Sequence, residues 1–257
     1  MTGIAGFPSG TAFVVGASGG VGGAICRALA REGSDVVLCY RSNAEGATNA
    51  AEAVRAYGRR SQLMQFDLQD IEATRQAVAD AVTEFGKVHT VVYAAGPVLP
   101  LKYLSNVQPA EMARFLCGDT LAFFNLIHAS LPALRASRGS AIAIHTTGLY
   151  RWPPKDGLSV VPKAGVEAMI RGFAREEGRN GVRVNGVALG VLDAGVFEKM
   201  RASGDLDDRF LQATLQMVPL GRLGQVDEVA EAAVFLASPR SAYITGHSVV
   251  VDGGFHL

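Results

Sequence analysis

The chain has 257 residues, of which 49% are hydrophobic and 19% are charged, so it can bury the core of one large α/β domain. Lysine plus arginine and aspartate plus glutamate number 24 each, which gives no electrostatic reason to expect binding to nucleic acid or to an anionic membrane. Cys26, Cys39 and Cys117 lie far apart within apolar runs, which indicates buried, reduced thiols in a cytoplasmic protein.

Seven short apolar runs predict β-strands that alternate with amphipathic helices. Stretches such as AICRALAREG and AEAVRAYG end in glycine, as helices often do. Strands alternating with helices predict one doubly wound, Rossmann-type α/β domain over 1–257, with a mostly parallel seven-stranded sheet. The predicted strands are TAFVV (11–15), DVVLCY (35–40), SQLMQF (61–66), VHTVVY (88–93), SAIAIH (140–145), VRVNGVA (182–188) and HSVVV (247–251).

Three kinds of segment are not expected. The N-terminus MTGIAGFPSG lacks the basic and apolar regions of a signal peptide. No uncharged apolar run is long enough to span a membrane. No spacing of cysteine and histidine is typical of a metal site.

A glycine-rich stretch, GASGGVGGAICRAL, follows the first predicted strand directly. Gly16, Gly20 and Gly22 have a G-x-x-x-G-x-G spacing at a strand-to-helix turn. Without side chains, this turn lets the backbone approach a pyrophosphate, and the helix N-terminus offers free N–H groups to the anion. At the first strand of a parallel sheet, the pattern favours dinucleotide binding over a turn that serves packing alone.

The residues at the end of the second predicted strand indicate which of two nucleotides, NAD or NADP, is bound. A carboxylate here would accept hydrogen bonds from the ribose hydroxyls of NAD. The strand instead ends in Tyr40, Arg41, Ser42 and Asn43. The guanidinium of Arg41 suits the 2′-phosphate of NADP, which favours NADP over NAD, and a solvated surface arginine is the alternative.

Motifs along nearly the full chain resemble those of the short-chain dehydrogenase/reductase superfamily. They are VVGASGGVGGAI, Asp67-Leu68, VVYAAG (91–96), GVRVNGVALG (181–190) and PLGRLGQVDEVAEAAVFLASPRSAYITGHSVVVDGG (219–254). Some positions depart from the family pattern: Tyr93 and Ala94 replace two asparagines, Leu189 a proline and Ala194 a threonine. The resemblance implies NAD(P) binding by Gly16, Ser18, Gly20, Val21, Gly22, Arg41, Ser42, Asp67, Leu68, Ala95, Gly96, Lys163, Gly190 and Leu192.

The catalytic tetrad of this family is Asn, Ser, Tyr and Lys, and only the lysine is retained here. The matching positions hold Asp119, Thr146, Ser159 and Lys163. By resemblance Lys163 holds the nicotinamide ribose, with a solvated helix lysine as the alternative. Asp119 could accept from a water chain or pair with Lys163, or it could cap a break in its helix. The hydroxyl of Thr146 could bind a substrate oxygen or serve packing.

Ser159 is the most consequential change, because a serine hydroxyl is a far weaker acid than a phenol, whose ordinary pKa is near ~10. With Pro162 three residues on, we expect Ser159 at the N-cap of its helix. The best substitute acid is Tyr150, in the loop after the fifth strand, unless it only packs there. Strand alternation turns His145 away from the face of Thr146.

These features predict an NADP-dependent oxidoreductase that reduces a carbonyl or related C=X bond of a small molecule with a non-standard proton donor. A nucleotide-binding protein without turnover and a non-redox enzyme are the alternatives. A helical lid is expected at 193–218, with Phe197, Met200 and Phe210 against substrate or core. The resemblance also implies a homotetramer, formed through helices near 109–135 and after Ser159 and through the end segment 240–257.

Overall fold

The computed structural model describes residues 6–97, 99–194 and 208–257, and its centre is a seven-stranded sheet in the order β3-β2-β1-β4-β5-β6-β7. Every neighbouring pair is parallel, so the sheet is parallel throughout rather than mostly parallel. The predicted fold class is confirmed. The strands are β1 (Thr11–Val15), β2 (Asp35–Tyr40), β3 (Ser61–Gln65), β4 (Val88–Tyr93), β5 (Ser140–Thr146), β6 (Arg183–Leu189) and β7 (Ser248–Val251).

Helices cover both faces of the sheet, which is why the strands read as continuous apolar runs. The described helices are α1 (Gly20–Arg31), α2 (Ala44–Ala56), α3 (Ile71–Phe85), α4 (Pro109–Phe115), α5 (Ala122–Ser137), α6 (Gly157–Glu177), α7 (Asp208–Gln216) and α8 (Val226–Ala237). One apolar core lies between the sheet and α1, α2 and α8, and the other lies between the sheet and α3, α5 and α6.

The long helix predicted near 109–135 is interrupted. A π-helical segment, Leu116–Leu121, separates α4 from α5 and contains Asp119. Such wide turns occur frequently at functional sites. Cys117 lies in this segment and is exposed, so the expectation that all three cysteines are buried is wrong for this one, while Cys26 and Cys39 are buried.

Helix α6 begins three residues earlier than predicted. Its N-cap is Asp156, whose carbonyl oxygen accepts from the N–H groups of Ser159 and Val160 at 3.0 Å each. The expectation that Ser159 is the N-cap is therefore wrong, because the chain has already entered the helix at Gly157. Pro162 lies inside the helix, one turn further than expected.

Part of the predicted lid lies outside the described residues. Residues 195–207, which include Phe197 and Met200, are in that part, and so is the side chain of Phe210. The described remainder contains α7, so a helix does occur in the 193–218 region. No helix of the described chain is long and apolar enough to cross a membrane.

Candidate active site

The turn between β1 and α1 forms a cradle without side chains. Gly16 has φ +81°, and a Cβ added there would lie 2.5 Å from the carbonyl oxygen of Ala94. A Cβ on Gly22 would overlap the carbonyl group of Gly16. Only glycine therefore fits these two positions, and the backbone at the carboxyl edge of the sheet stays open to a close ligand.

The N-terminus of α1 faces this turn with its charge uncompensated. Its N-cap is Gly19, which provides no capping side chain, and the first turn contains no acidic residue. The first N–H groups of a helix have no partner inside the helix and carry a partial positive charge. The cradle thus fits a pyrophosphate, as the G-x-x-x-G-x-G spacing predicts.

The ends of β2 and β3 lie beside the cradle. The Arg41 guanidinium is exposed and lies 3.9 Å from a carboxylate oxygen of Asp67. Asn43 caps α2 by accepting from Gly46 N–H at 3.0 Å, and its amide donates to the carbonyl oxygen of Ser18 at 3.2 Å. These contacts bring Arg41, Asp67 and the glycine turn to one edge of the sheet.

Two further predicted cofactor segments lie at the same edge. The buried Asn125 amide donates to the carbonyl oxygen of Leu68 at 2.9 Å and fixes the end of β3 to α5. Gly190 N–H donates to Val251 at 3.0 Å, so the residues after β6 follow the end of β7. Leu192 is buried and forms an isolated bridge with Gly224.

The centre of the candidate site is a buried ion pair. Lys163 Nζ lies 2.9 Å from Asp119 Oδ1, and the two side chains are 11% and 3% exposed. The Tyr93 hydroxyl donates to the same Asp119 oxygen at 2.5 Å, and Lys163 Nζ lies 4.9 Å from the centre of the Tyr93 ring. Lys163 also donates to the Ala95 carbonyl oxygen at 3.3 Å. A solvated lysine is thus ruled out, and the predicted pairing of Asp119 with Lys163 is present.

Tyr93 is a phenol next to the lysine, but its environment opposes proton release. Burial, followed by the negative charge of Asp119 and the hydrogen bond to it, raises the pKa of Tyr93 well above its ordinary value. A catalytic acid needs a pKa near the working pH. Tyr93 therefore holds Asp119 in place and is a poor proton donor.

Thr146 and Ser159 keep hydroxyl groups near the lysine helix. Thr146 Oγ1 accepts from Gly148 N–H at 3.0 Å, which leaves its own proton free among the described contacts. Ser159 is half-buried in the first turn of α6, and its hydroxyl makes no hydrogen bond to the described residues. Ser159 and Lys163 lie one turn apart on the same helix face.

Tyr150 lies among a different set of side chains. Its ring lies edge-on to His256 with 6.2 Å between centres, and its side chain is near Ser248. Partial burial and the charge of Glu167 raise the pKa of Tyr150. His145 Nε2 lies 2.9 Å from Ser248 Oγ, so that histidine does turn away from the Thr146 face. The structure does not bring the Tyr150 phenol into contact with Lys163.

Comparisons with known proteins agree with this geometry. A family model described as Enoyl-(Acyl carrier protein) reductase matches residues 16–256. The chain belongs to the short-chain dehydrogenase/reductase superfamily. Similar proteins include L-fucose dehydrogenase of Mus musculus, 33% identical over 95% of this chain and 87% of that one.

Two other members of the superfamily extend the comparison. The 3-oxoacyl-[acyl-carrier-protein] reductase FabG of Staphylococcus aureus is 29% identical over 96% of this chain and 98% of its own length. The crystal structure of carveol dehydrogenase from Mycobacterium avium in complex with NAD is 25% identical, with a TM-score of 0.89 and coverage of 98% and 99%. The superfamily assignment and the oxidoreductase class predicted from the motifs are thereby confirmed.

In this short-chain dehydrogenase/reductase, the sequence marks Tyr93 as a departure from the family asparagine but does not predict its contact with Asp119, which also departs from an asparagine. A second residue of the site, Asp156, is not predicted from the sequence. Asp156 precedes Ser159 by three residues and Lys163 by seven, so all three share one stripe of α6. The signals in the sequence are the spacings of Asp156 from Ser159 and Lys163, and the departures from asparagine at both Tyr93 and Asp119.

The Asp156 carboxyl group has an unusual environment for the N-cap of a helix. Asp156 occupies the N-cap of α6, but its carboxylate caps no backbone N–H of the helix. Burial raises the pKa of this carboxyl group to about 6.

Asp156→Asn should stabilise the protein above pH 6. The pKa of Asp156 rises from 3.8 to about 6 on folding, so ionisation of this group costs stability as the pH rises through that window. The Asp156 side chain caps no backbone N–H, so its replacement by asparagine should leave α6 in place. We expect the melting temperature to rise by about 2–4 °C at pH 7.5, the shift that ~1 kcal/mol produces in a chain of this size. Near pH 4 the difference should disappear. The same gain at both pH values would contradict the assigned charge.

Proposed function

We propose that the chain is an NADP-dependent oxidoreductase that reduces a carbonyl or related C=X bond of a small molecule without the tyrosine acid of its superfamily. The observation that carries the proposal is the buried Lys163 beside a glycine cradle at one edge of the sheet. An ammonium group has three N–H donors. Asp119 and the Ala95 carbonyl take two of them, at 2.9 and 3.3 Å, and the third is available to a ribose hydroxyl.

The chain's own residues bind and orient in this proposal. The glycine cradle and the α1 N-terminus would hold the pyrophosphate, and Lys163 would hold the nicotinamide ribose. When bound, the nicotinamide supplies hydride chemistry. Thr146 would donate its free hydroxyl proton as a hydrogen bond to the substrate. Asp119 and Tyr93 would keep the lysine at one position.

A nucleotide-binding protein without turnover is the second candidate. Two observations favour it: the Ser159 hydroxyl has no partner among the described residues, and the environments of Tyr93 and Tyr150 raise the pKa of both phenols. Screening ketones, imines and enones with NADPH and following cofactor oxidation separates the two. Oxidation that depends on substrate and is lost in Lys163→Ala supports the enzyme. Tight NADPH binding with no oxidation of NADPH in any reaction supports the nucleotide-binding protein without turnover.

We predict that NADPH binds more tightly than NADH through Arg41. Replacing Arg41 by alanine removes a charge-assisted contact to the 2′-phosphate and should weaken NADPH binding by about 1.5–3 kcal/mol. NADH binding should stay the same. Titration of both nucleotides against both proteins measures this. Unchanged NADPH affinity would show that Arg41 does not contact the 2′-phosphate.

The proton donor is tested by comparing Tyr150→Phe with Ser159→Ala. If Tyr150 is the substitute acid, the first change should lower kcat at least tenfold, since losing a general acid costs about 10²–10⁴-fold. The second should have little effect. The contacts of Tyr150 with His256 and Ser248 favour a packing role instead. Equal activity in the two variants would make both residues structural.

We also propose a cytoplasmic homotetramer. The described surface of the π segment and of α5 exposes Leu116, Leu121 and Phe124, and the end segment exposes Tyr243 and Leu257. Apolar patches of this kind mark interfaces between protein chains. Light scattering at micromolar concentration should give four times the chain mass. A monomer under these conditions would rule out the tetramer.

A further inference from the structure

Asp156 is a carboxylate that no residue in the described part of the chain neutralises. Among the described residues, no cation lies within ion-pair distance of it and no group donates a hydrogen bond to its side chain. Its backbone forms a bridge with Lys102, but Lys102 Nζ lies 2.8 Å from Glu111. The neighbouring Lys155 places its ammonium 5.2 Å from the centre of the Tyr103 ring. Both nearby lysines are thus directed to other groups.

Of the two charged residues on this stripe of α6, Lys163 has a partner of opposite charge and Asp156 has none among the described residues. Lys163 is compensated by Asp119 at 2.9 Å, and Ser159 is neutral, which leaves the charge of Asp156. A half-buried carboxylate without a partner has lost part of its hydration and gains most from a cationic ligand. An ordinary carbonyl substrate would instead develop negative charge on its oxygen during reduction, and Lys163, the cation of this stripe, is already paired with Asp119.

We propose that the substrate is a cationic nitrogen compound, an iminium ion, which is bound through the Asp156 carboxylate. This inference rests on the proposed function, since it names the substrate class of the same site. Reduction of a ketone to an alcohol takes up one hydride and one proton. Reduction of an N-alkylated iminium ion takes up the hydride alone: a C–H bond forms, the C=N π pair becomes the nitrogen lone pair, and a neutral tertiary amine leaves.

This chemistry accounts for the replacement of the tyrosine by Ser159. An iminium substrate needs no proton at the step that the tyrosine would serve, so the loss of that acid carries no penalty. The apolar rim next to Asp156 suits such a substrate, because Leu104 packs on Gly157 at the start of α6.

Protonation of Asp156 should abolish the recognition. Burial raises the pKa of this carboxyl group to about 6, so the attraction is present above that pH and is lost as the pH falls through it. The other charged side chains close to Asp156 are Lys102 with its partner Glu111, and Lys155. A fixed cation keeps its own charge over this range, so a loss of binding below pH 6 reports on the protein.

The experiment compares N-methyl-3,4-dihydroisoquinolinium with 1-tetralone, a neutral ketone of similar shape, using NADPH and the full chain. We expect kcat/KM for the iminium ion, after subtraction of the uncatalysed reaction, to exceed that for the ketone. In Asp156→Asn it should fall by about 10–100-fold, the size of a lost charge-assisted contact. NADPH affinity should not change. Asp80→Asn, which removes an exposed carboxylate on α3, is the control and should behave like the wild type.

A binding measurement makes the inference testable without turnover. Calorimetry with the chain saturated with NADP⁺ should show that N,N-dimethyl-tetrahydroisoquinolinium binds to the wild type at pH 7.5 and binds about tenfold or more weakly to Asp156→Asn. Equal binding to the two proteins, or reduction of the ketone in preference to the iminium ion, would overturn the inference. NADPH binding without oxidation by either substrate would defeat the proposed function, while the calorimetry would still decide on Asp156.

Discussion

The ion pair between Lys163 and Asp119 is the interaction on which the site depends. Its distance is 2.9 Å, both partners are buried, and the Tyr93 hydroxyl donates to the same carboxylate oxygen. Removing one partner of such a pair leaves an isolated buried charge and costs about 3–5 kcal/mol. The pair joins the π segment to α6, and Tyr93 adds β4, so these contacts fix three elements at the edge where the glycine cradle opens.

Charge compensation separates this site from that of an ordinary reductase of the superfamily. There, by resemblance, the lysine cation lowers the pKa of a tyrosine. Here the cation is matched by Asp119, the tyrosine position holds Ser159, and Asp156 adds a negative charge one turn earlier. Each change considered alone indicates a loss of reductase activity. Taken together they support the inference that the site favours a positively charged ligand.

Local patterns in the sequence predicted the fold and the cradle. The strand runs and the glycine spacing depend on neighbours within a few residues, and the structure places them as expected. The contacts of Asp119 depend on Tyr93 and Lys163, which are 26 and 44 residues away, so only the tertiary fold determines them. Ser159 was misplaced as an N-cap because helix boundaries depend on which carbonyl begins the hydrogen bonding, and here it belongs to Asp156. Tyr150 sits in a loop, whose direction the sequence does not fix.

A double-mutant cycle on Lys163 and Asp119 tests the account most directly. Urea unfolding at one fixed protein concentration would be measured for the wild type, Lys163→Met, Asp119→Asn and the double variant. We expect each single change to be strongly destabilising and the double variant to recover a coupling energy of at least about 2 kcal/mol. Single effects that add within about 0.5 kcal/mol in the double variant would contradict it, because the two charges would then not compensate each other.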